Sequence, residues 1–99
     1  MKFGLNDDLL KELVEIISKY EEINKAVIFG SRSIGDYKYN SDIDIAIFTR
    51  SSESLRSSVL EDLDEINTLY KFDVVEFEKI DNEKLRQNII EQGVEIFVR

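Results

Sequence analysis

Apolar residues recur along the chain with two different spacings, one typical of helices and one typical of strands. Helical spacing, with an apolar residue every three or four positions, marks residues 6–20, 51–70 and 81–92. Short apolar or alternating runs predict strands at residues 25–29, 42–49, 72–78 and 94–98. This order of elements predicts an α/β (α+β) domain in which helices pack against a small, mixed β-sheet.

Polar residues and glycines at the ends of these segments support the predicted boundaries. Asn6 stands where a helix N-cap is expected, and Asp7 and Asp8 follow it where the helix dipole favours negative charge. Gly30 ends the first strand, and Gly93 ends the last helix before the final strand. Since proline is absent, glycine and polar clusters are the signals that separate one element from the next.

The length and composition fit one small folded domain. The chain has 99 residues, of which 42% are hydrophobic and 34% are charged, as is typical of a globular protein. We therefore expect a single domain over residues 1–99. No apolar run approaches the roughly 18 residues of a membrane span, and the N-terminus lacks the pattern of a signal peptide. These features predict a cytoplasmic protein.

Two residue types are missing, and each absence excludes a class of chemistry. Without cysteine the chain has no disulfide or thiolate metal site, and without histidine it has no imidazole base, imidazole zinc site or Ser-His-Asp triad. Catalysis must then depend on carboxylates, hydroxyls, lysine, arginine or a bound metal. The net charge of −8 repels nucleic acid, which disfavours direct binding to DNA.

A pair of aspartates lies at the start of the second predicted strand. Residues two apart in a strand share a face, so Asp42 and Asp44 project from the same side with Cα atoms about 7 Å apart. Like charges this close resist joint ionisation unless a cation lies between them. Carboxylate oxygens without histidine or cysteine favour Mg²⁺ or Mn²⁺ over zinc. Taken alone, the pair also fits an exposed edge strand with two solvated acids.

Upstream of these aspartates, a glycine–serine pair follows directly on the first predicted strand. Gly30 and Ser31 would place backbone N–H groups and a hydroxyl at the start of a short helix, which suits an anionic phosphate. Arg32 and Lys38 could add positive charge at the same place. A glycine and a serine after a strand also fit an ordinary tight turn, so the pair has to be interpreted together with the aspartates.

The stretch GSRSIGDYKYNSDIDIAIF, residues 30–48, joins the two features. It resembles the Gly-Ser…Asp-x-Asp signature of the DNA polymerase β nucleotidyltransferase superfamily, and most of all its minimal nucleotidyltransferase (MNT) family. The resemblance implies that Gly30, Ser31 and Arg32 bind the nucleotide. It also implies that Asp42 and Asp44 bind metal and are catalytic. The ending LRQNIIEQGVEIF resembles the closing helix, glycine and strand of the family, so the likeness spans most of the chain.

A third acidic residue from a neighbouring strand completes the metal-binding and catalytic set of this family. Asp73 is the best match, although Glu76 and Glu78 lie on the same predicted strand and compete with it. Strand alternation places Glu76 on the face opposite to Asp73, and Glu78 falls at the end of the strand. The resemblance therefore assigns the third carboxylate to Asp73.

Some positions depart from the family pattern or have a simpler interpretation. Many relatives have a second arginine at the position of Ile34 and a proline-containing loop at the position of Tyr39 and Asn40. Tyr37 and Tyr39 could stack on a base, or they could cover apolar surface. The acids of the predicted helix at 51–70 fit a solvated face, and they are Glu53, Glu61, Asp62, Asp64 and Glu65.

The resemblance implies a magnesium-dependent reaction, with Mn²⁺ as an alternative metal, in which AMP passes from ATP to a hydroxyl acceptor. Small MNT proteins are often encoded beside HEPN-domain proteins, so the expected acceptor is a HEPN-type protein in a toxin–antitoxin pair. Two alternatives stay open: a non-catalytic antitoxin that covers its partner, and an enzyme that modifies a small molecule such as an aminoglycoside. The sequence does not decide the base preference, the acceptor residue or whether the chain forms homo-oligomers.

Overall fold

Residues 3–38 and 41–99 are described by the computed structural model. The helices in this part of the chain are α1 (Asp7–Ser18), α2 (Ser31–Ile34), α3 (Arg56–Asp64) and α4 (Glu83–Gln92), with a 3₁₀ helix at Phe77–Lys79. The strands are β1 (Ile23–Phe29), β2 (Ile43–Thr49), β3 (Phe72–Glu76) and β4 (Val94–Val98). This mixed architecture confirms the predicted fold class. Within the described residues, no helix combines the length and apolar character that crossing a membrane requires.

The strands form a mixed sheet in the order β3-β2-β1-β4. β1 is antiparallel to both β2 and β4, whereas β2 and β3 are parallel and are connected through α3. Because β1 and β2 run in opposite directions, the C-terminal end of β1 lies beside the N-terminal end of β2. Because β2 and β3 run in the same direction, their N-terminal ends lie side by side. One end of the sheet therefore collects the end of β1 and the starts of β2 and β3.

Strand alternation divides the buried apolar residues between the two faces of the sheet. Helices α1 and α3 cover one face, where Ile43, Ile45 and Ile47 of β2 are fully buried. Helix α4 covers the other face, where Ala46 and Ile89 belong to a smaller core. The alternation predicted for the second strand is thus confirmed, and its two aspartates share the side of the smaller core.

Several predicted boundaries are confirmed by the contacts that fix them. The side chain of Asn6 accepts a hydrogen bond from the N–H of Leu9 at 2.8 Å and caps α1 as expected. Gly93 is the C-cap of α4, where a Cβ would lie 2.4 Å from the carbonyl oxygen of Ile89. The third strand is shorter than predicted, since it ends at Glu76 and the 3₁₀ helix follows. The remaining strand ends agree with the prediction to within a residue or two.

The helix predicted over residues 51–70 is wrong in its extent, because α3 covers only Arg56–Asp64. Before α3, backbone N–H groups donate hydrogen bonds to side chains instead of to the carbonyl groups of a helix. The hydroxyl of Ser51 accepts from the N–H of Glu53 at 3.2 Å, and the N–H of Leu55 donates to the carboxylate of Glu76 at 3.1 Å. The apolar spacing continues past α3 because the apolar residues that follow the helix still pack against the core, although they are not helical.

Candidate functional site

Three aspartates meet at the end of the sheet where β1 stops and β2 and β3 start. Asp42 directly precedes β2, Asp44 lies in β2 and Asp73 lies in β3. Asp44 and Asp73 are register partners in the parallel pair, in which neighbouring strands are about 4.8 Å apart. Asp42 is exposed and the other two are half-buried. The structure therefore brings to one place the carboxylates that the sequence predicts as catalytic and metal-binding.

The arrangement of these groups shifts the pKa of Asp44. Burial raises the pKa of Asp44, and the neighbouring charges of Asp73 and Asp42 raise it further, while Arg32 acts in the opposite direction. A carboxyl group whose ionised form is disfavoured by two like charges is stabilised when a cation lies among them. This environment is the one expected of a site for a divalent metal.

Gly30 brings the backbone at the end of β1 against Asp44. Its φ is +77°, which L side chains rarely adopt, and a Cβ built there would lie 2.7 Å from Oδ2 of Asp44. A side chain at this position would have to displace the carboxylate. Gly30 and Ser31 stand at the start of α2, so the short helix predicted after them is confirmed. Their contact with a nucleotide stays a prediction.

Arg32 is buried beneath the site, with 2% of its surface exposed. Its Nε and Nη2 donate to the carbonyl of Ser41 at 3.1 and 2.8 Å, and its Nη1 donates to the carbonyl of Phe3 at 2.7 Å. The rings of Tyr37 and Tyr70 lie against the guanidinium, with centroids 5.0 and 4.9 Å from Cζ. Arg32 thus fixes the segment that leads into the first aspartate. Nucleotide binding by Arg32 stays a prediction beside this structural role.

The other residues singled out in the sequence pack against other groups, are exposed to solvent or lie outside the described residues. Tyr37 packs on Arg32, whereas Tyr39 and Asn40 lie outside the described residues. Ile34, at the position of the second arginine in many relatives, is 54% exposed. The acids from Glu53 onward in the predicted second helix are all exposed, which confirms the interpretation as a solvated face.

Arg56, at the start of α3, forms an ion pair with Asp73 that the sequence did not predict. Its Nη2 lies 3.2 Å from Oδ1 of Asp73, and its Nε donates to the carbonyl of Val74 at 2.7 Å. No local pattern identifies this arginine, because its position next to β3 depends on where α3 begins. The predicted helix started five residues too early to reveal it.

Glu76 and Glu78, which compete with Asp73 in the sequence, are engaged in other contacts. Glu76 is 6% exposed and accepts hydrogen bonds from the hydroxyl of Ser54 and the N–H of Leu55. Glu78 accepts from a backbone N–H at the far end of β2 at 3.0 Å. These contacts agree with the choice of Asp73 as the acid of β3 that belongs to the site.

Glu76→Gln is expected to make the protein less stable than wild type near pH 7. In acid, the difference in stability between the variant and wild type should become smaller. Burial opposes the charged form of Glu76, but hydrogen bonds from Ser54, Leu55 and Lys79 outweigh it and lower the pKa of the carboxyl. A lowered pKa contributes stability above the unfolded value of about 4.3, and the contribution is lost as the pH falls through the folded value. Thermal unfolding at about pH 7 and pH 3 measures the two differences.

Glu53→Gln is the control for this prediction, since the Glu53 side chain is exposed. It should match wild type at both pH values. If Glu76→Gln lowers the melting temperature equally at both, the ionised carboxylate of Glu76 has no special role in the fold.

The donor set of the site fits a divalent cation that prefers oxygen. Carboxylates without histidine or thiolate are the ligands favoured by Mg²⁺ and Mn²⁺. In the described part of the chain, no three acidic side chains stand close enough to hold a metal ion in their present orientations. One oxygen of Asp73 is engaged by Arg56 in this arrangement. Asp42, Asp44 and Asp73 are the residues that would hold the metal.

Solved structures of toxin–antitoxin proteins share this fold. A toxin–antitoxin with AMP-PNP is 24% identical, with a TM-score of 0.67 over 96% of this chain and 75% of that one. The toxin–antitoxin MntA-HepT is 17% identical, with a TM-score of 0.72 over 95% and 74%. A complex of MNT antitoxin with the tri-AMPylated Shewanella oneidensis HEPN toxin is 18% identical, with a TM-score of 0.65 over 96% and 74%.

The sequence itself matches a family model over nearly its whole length. Among curated proteins, none matches this chain in sequence. The family model described as polymerase beta, nucleotidyltransferase, matches residues 11–99, which include the Gly-Ser turn and all three aspartates. The chain belongs to the polymerase β nucleotidyltransferase family.

Proposed function

We propose that this chain is an adenylyltransferase that moves AMP from ATP onto a hydroxyl group of a HEPN-type protein partner in a toxin–antitoxin pair. The observation that carries the proposal is the pairing of Asp44 with Asp73 across parallel strands, with the Gly30 turn against Asp44. Family membership supports the type of reaction. The related complexes with AMP-PNP and with a tri-AMPylated HEPN toxin support ATP as the substrate and a HEPN-type protein as the acceptor.

In the proposed reaction, the acceptor oxygen forms a bond to the α-phosphorus of ATP, and the bond from that phosphorus to the bridging oxygen of pyrophosphate breaks. Asp73 takes the proton from the acceptor hydroxyl. Gly30 and Ser31 orient the polyphosphate at the start of α2, and Asp42, Asp44 and Asp73 would hold magnesium, or manganese in its place. When bound, the metal supplies electrostatic stabilisation of the attacking and leaving oxygens. We place this reaction in the cytoplasm, where ATP is available.

ATP binding is expected to require Mg²⁺ or Mn²⁺. Three carboxylates at one end of the sheet repel a polyphosphate, and burial together with the charges of Asp73 and Asp42 raises the pKa of Asp44. Calorimetric titration with ATP should give strong binding with magnesium and no measurable binding with EDTA. Equal affinity under the two conditions would contradict the bridging role of the metal.

Transfer of label from α-labelled ATP to a purified HEPN-type partner tests the function itself. Label in the partner, together with released pyrophosphate, is the expected result. Neutralisation of the partner without any label would show a binding-only antitoxin. Label on an aminoglycoside but not on the protein would show an enzyme for small molecules. Either of the last two results would reject the proposal.

A further inference from the structure

The guanidinium of Arg56 contacts two consecutive residues of the edge strand β3. Its Nη2 lies 3.2 Å from Oδ1 of Asp73, and its Nε donates to the carbonyl of Val74 at 2.7 Å. The flat guanidinium suits this arrangement because its N–H groups point in fixed directions, whereas a lysine ammonium acts as a point charge. Arg56 therefore engages the carboxylate from a defined position.

The position of Arg56 is set by a buried anchor on the other face of β3. Glu76 is 6% exposed and accepts hydrogen bonds from the hydroxyl of Ser54 and from the N–H of Leu55, at 2.5 and 3.1 Å. Lys79 donates to the same carboxylate at 3.1 Å. Since Ser54 and Leu55 directly precede Arg56, these bonds hold the start of α3 against β3. The arginine is thereby kept within reach of Asp73.

The charge of Arg56 opposes the excess of negative charge at the site. Asp73 is the register partner of Asp44, so the two carboxylates project from neighbouring strands about 4.8 Å apart. The ion pair places a positive charge on the acid that lies at the edge of the sheet. Arg56 and a divalent cation would then attract the same carboxylate and repel each other.

We propose that Arg56 is a positioning residue that acts as the resident counter-ion of Asp73, neutralising it in the metal-free protein and competing with the metal for it. This inference rests on the proposed function, since it takes Asp73 as a metal ligand. The metal-free site then carries one uncompensated charge fewer. The competition also keeps a divalent cation from binding tightly before ATP, with its own negative charges, arrives.

The affinity of the nucleotide-free protein for Mn²⁺, measured by calorimetry, tests this role. Arg56→Gln should bind Mn²⁺ about three- to tenfold more tightly than wild type, because a competing charge near half-exposed groups has been removed. Arg56→Lys keeps the charge but not the planar set of donors, so its affinity for Mn²⁺ should lie between those of wild type and Arg56→Gln. Unchanged or weaker binding in Arg56→Gln, or equally tight binding in Arg56→Lys, would overturn the proposal.

Two further variants separate this effect from a general change of charge. Arg50→Gln loses the same charge at an exposed position beyond the opposite end of β2, and it should leave Mn²⁺ affinity unchanged. In an Asp73→Asn background, Arg56→Gln should have no further effect, since the shared carboxylate is gone. Tighter Mn²⁺ binding in Arg50→Gln would show a general effect of charge. Tighter binding caused by Arg56→Gln in the Asp73→Asn background would show that Arg56 does not act through Asp73.

The outcome for Arg56 can be distinguished from the outcome for the proposed function. If wild type transfers no AMP but Arg56→Gln still tightens Mn²⁺ binding through Asp73, the adenylyltransferase proposal fails and the counter-ion role stands. If wild type is active and Arg56→Gln binds Mn²⁺ as wild type does, the counter-ion role alone fails. Thermal unfolding of each variant confirms that the comparison concerns folded proteins.

Discussion

Asp44→Asn is expected to slow AMP transfer to the partner by about a hundredfold or more. Asparagine keeps the shape of the side chain but removes the charge through which Asp44 would hold a metal beside the phosphates. Metal stabilisation of a transition state is worth several kcal/mol, and each 1.36 kcal/mol corresponds to about tenfold in rate. Transfer of label from α-labelled ATP measures the rate, and a pull-down shows whether the complex with the partner survives.

The same variant should be at least as stable as wild type in the absence of metal. Burial and the charges of Asp73 and Asp42 disfavour the ionised form of Asp44, so its neutralisation relieves repulsion in the fold. Glu65→Gln, at an exposed position just after α3, should change neither rate nor stability. A marked loss of stability in Asp44→Asn would instead indicate a structural role, and a rate close to that of wild type would reject Asp44 as a catalytic residue.

Arg32→Ala is expected to destabilise the protein by about 3 kcal/mol or more. The guanidinium donates to the carbonyls of Ser41 and Phe3 and lies against the rings of Tyr37 and Tyr70. Its removal leaves carbonyl groups without their charged donor and opens a cavity between the rings. Chemical unfolding followed by circular dichroism measures the change in the free energy of unfolding.

Arg50→Ala is the matched control, because Arg50 is exposed and its side chain donates a hydrogen bond of 3.3 Å to the carbonyl of Glu21. Its effect should stay within about 1 kcal/mol. Arg32→Lys then separates the two roles of Arg32, since lysine keeps the charge but cannot reproduce the planar set of donors. Wild-type stability with weakened ATP binding in Arg32→Lys would show that contact with the nucleotide outweighs the structural role.

The fold and the placement of the aspartates follow from patterns that the sequence carries locally. Alternation fixes which residues of β2 face the isoleucine core, and that same alternation puts Asp42 and Asp44 on one side. The cap at Asn6 and the stop at Gly93 are also local signals, because each depends on contacts within four residues along the chain. Asp73 could be chosen over Glu76 because alternation within one strand puts these two side chains on opposite faces, and over Glu78 because Glu78 falls at the end of the predicted strand.

Features that depend on distant parts of the chain could not be predicted. The ion pair of Arg56 with Asp73 exists because Glu76, on the same strand as Asp73, holds the start of α3. The burial of Arg32 arises in the same way, since its hydrogen-bond acceptors come from Phe3 and Ser41 on separate segments. An arginine beside a glycine–serine turn suggests a phosphate ligand from sequence alone. Only the packed structure shows the carbonyl groups and rings that surround it.

The parallel pairing of β2 and β3 has a consequence for how the site is assembled. Gly30 and Asp44 come together when β1 and β2 pair, but Asp73 joins them only after the chain has passed through α3 and docked β3 at the edge of the sheet. Contacts between segments this far apart form slowly, because closing the loop costs entropy before the contact stabilises anything. A chain in which the edge strand β3 has not docked holds two of the three carboxylates and lacks the one assigned to the acceptor. The complete set of carboxylates therefore requires that β3 has docked on β2.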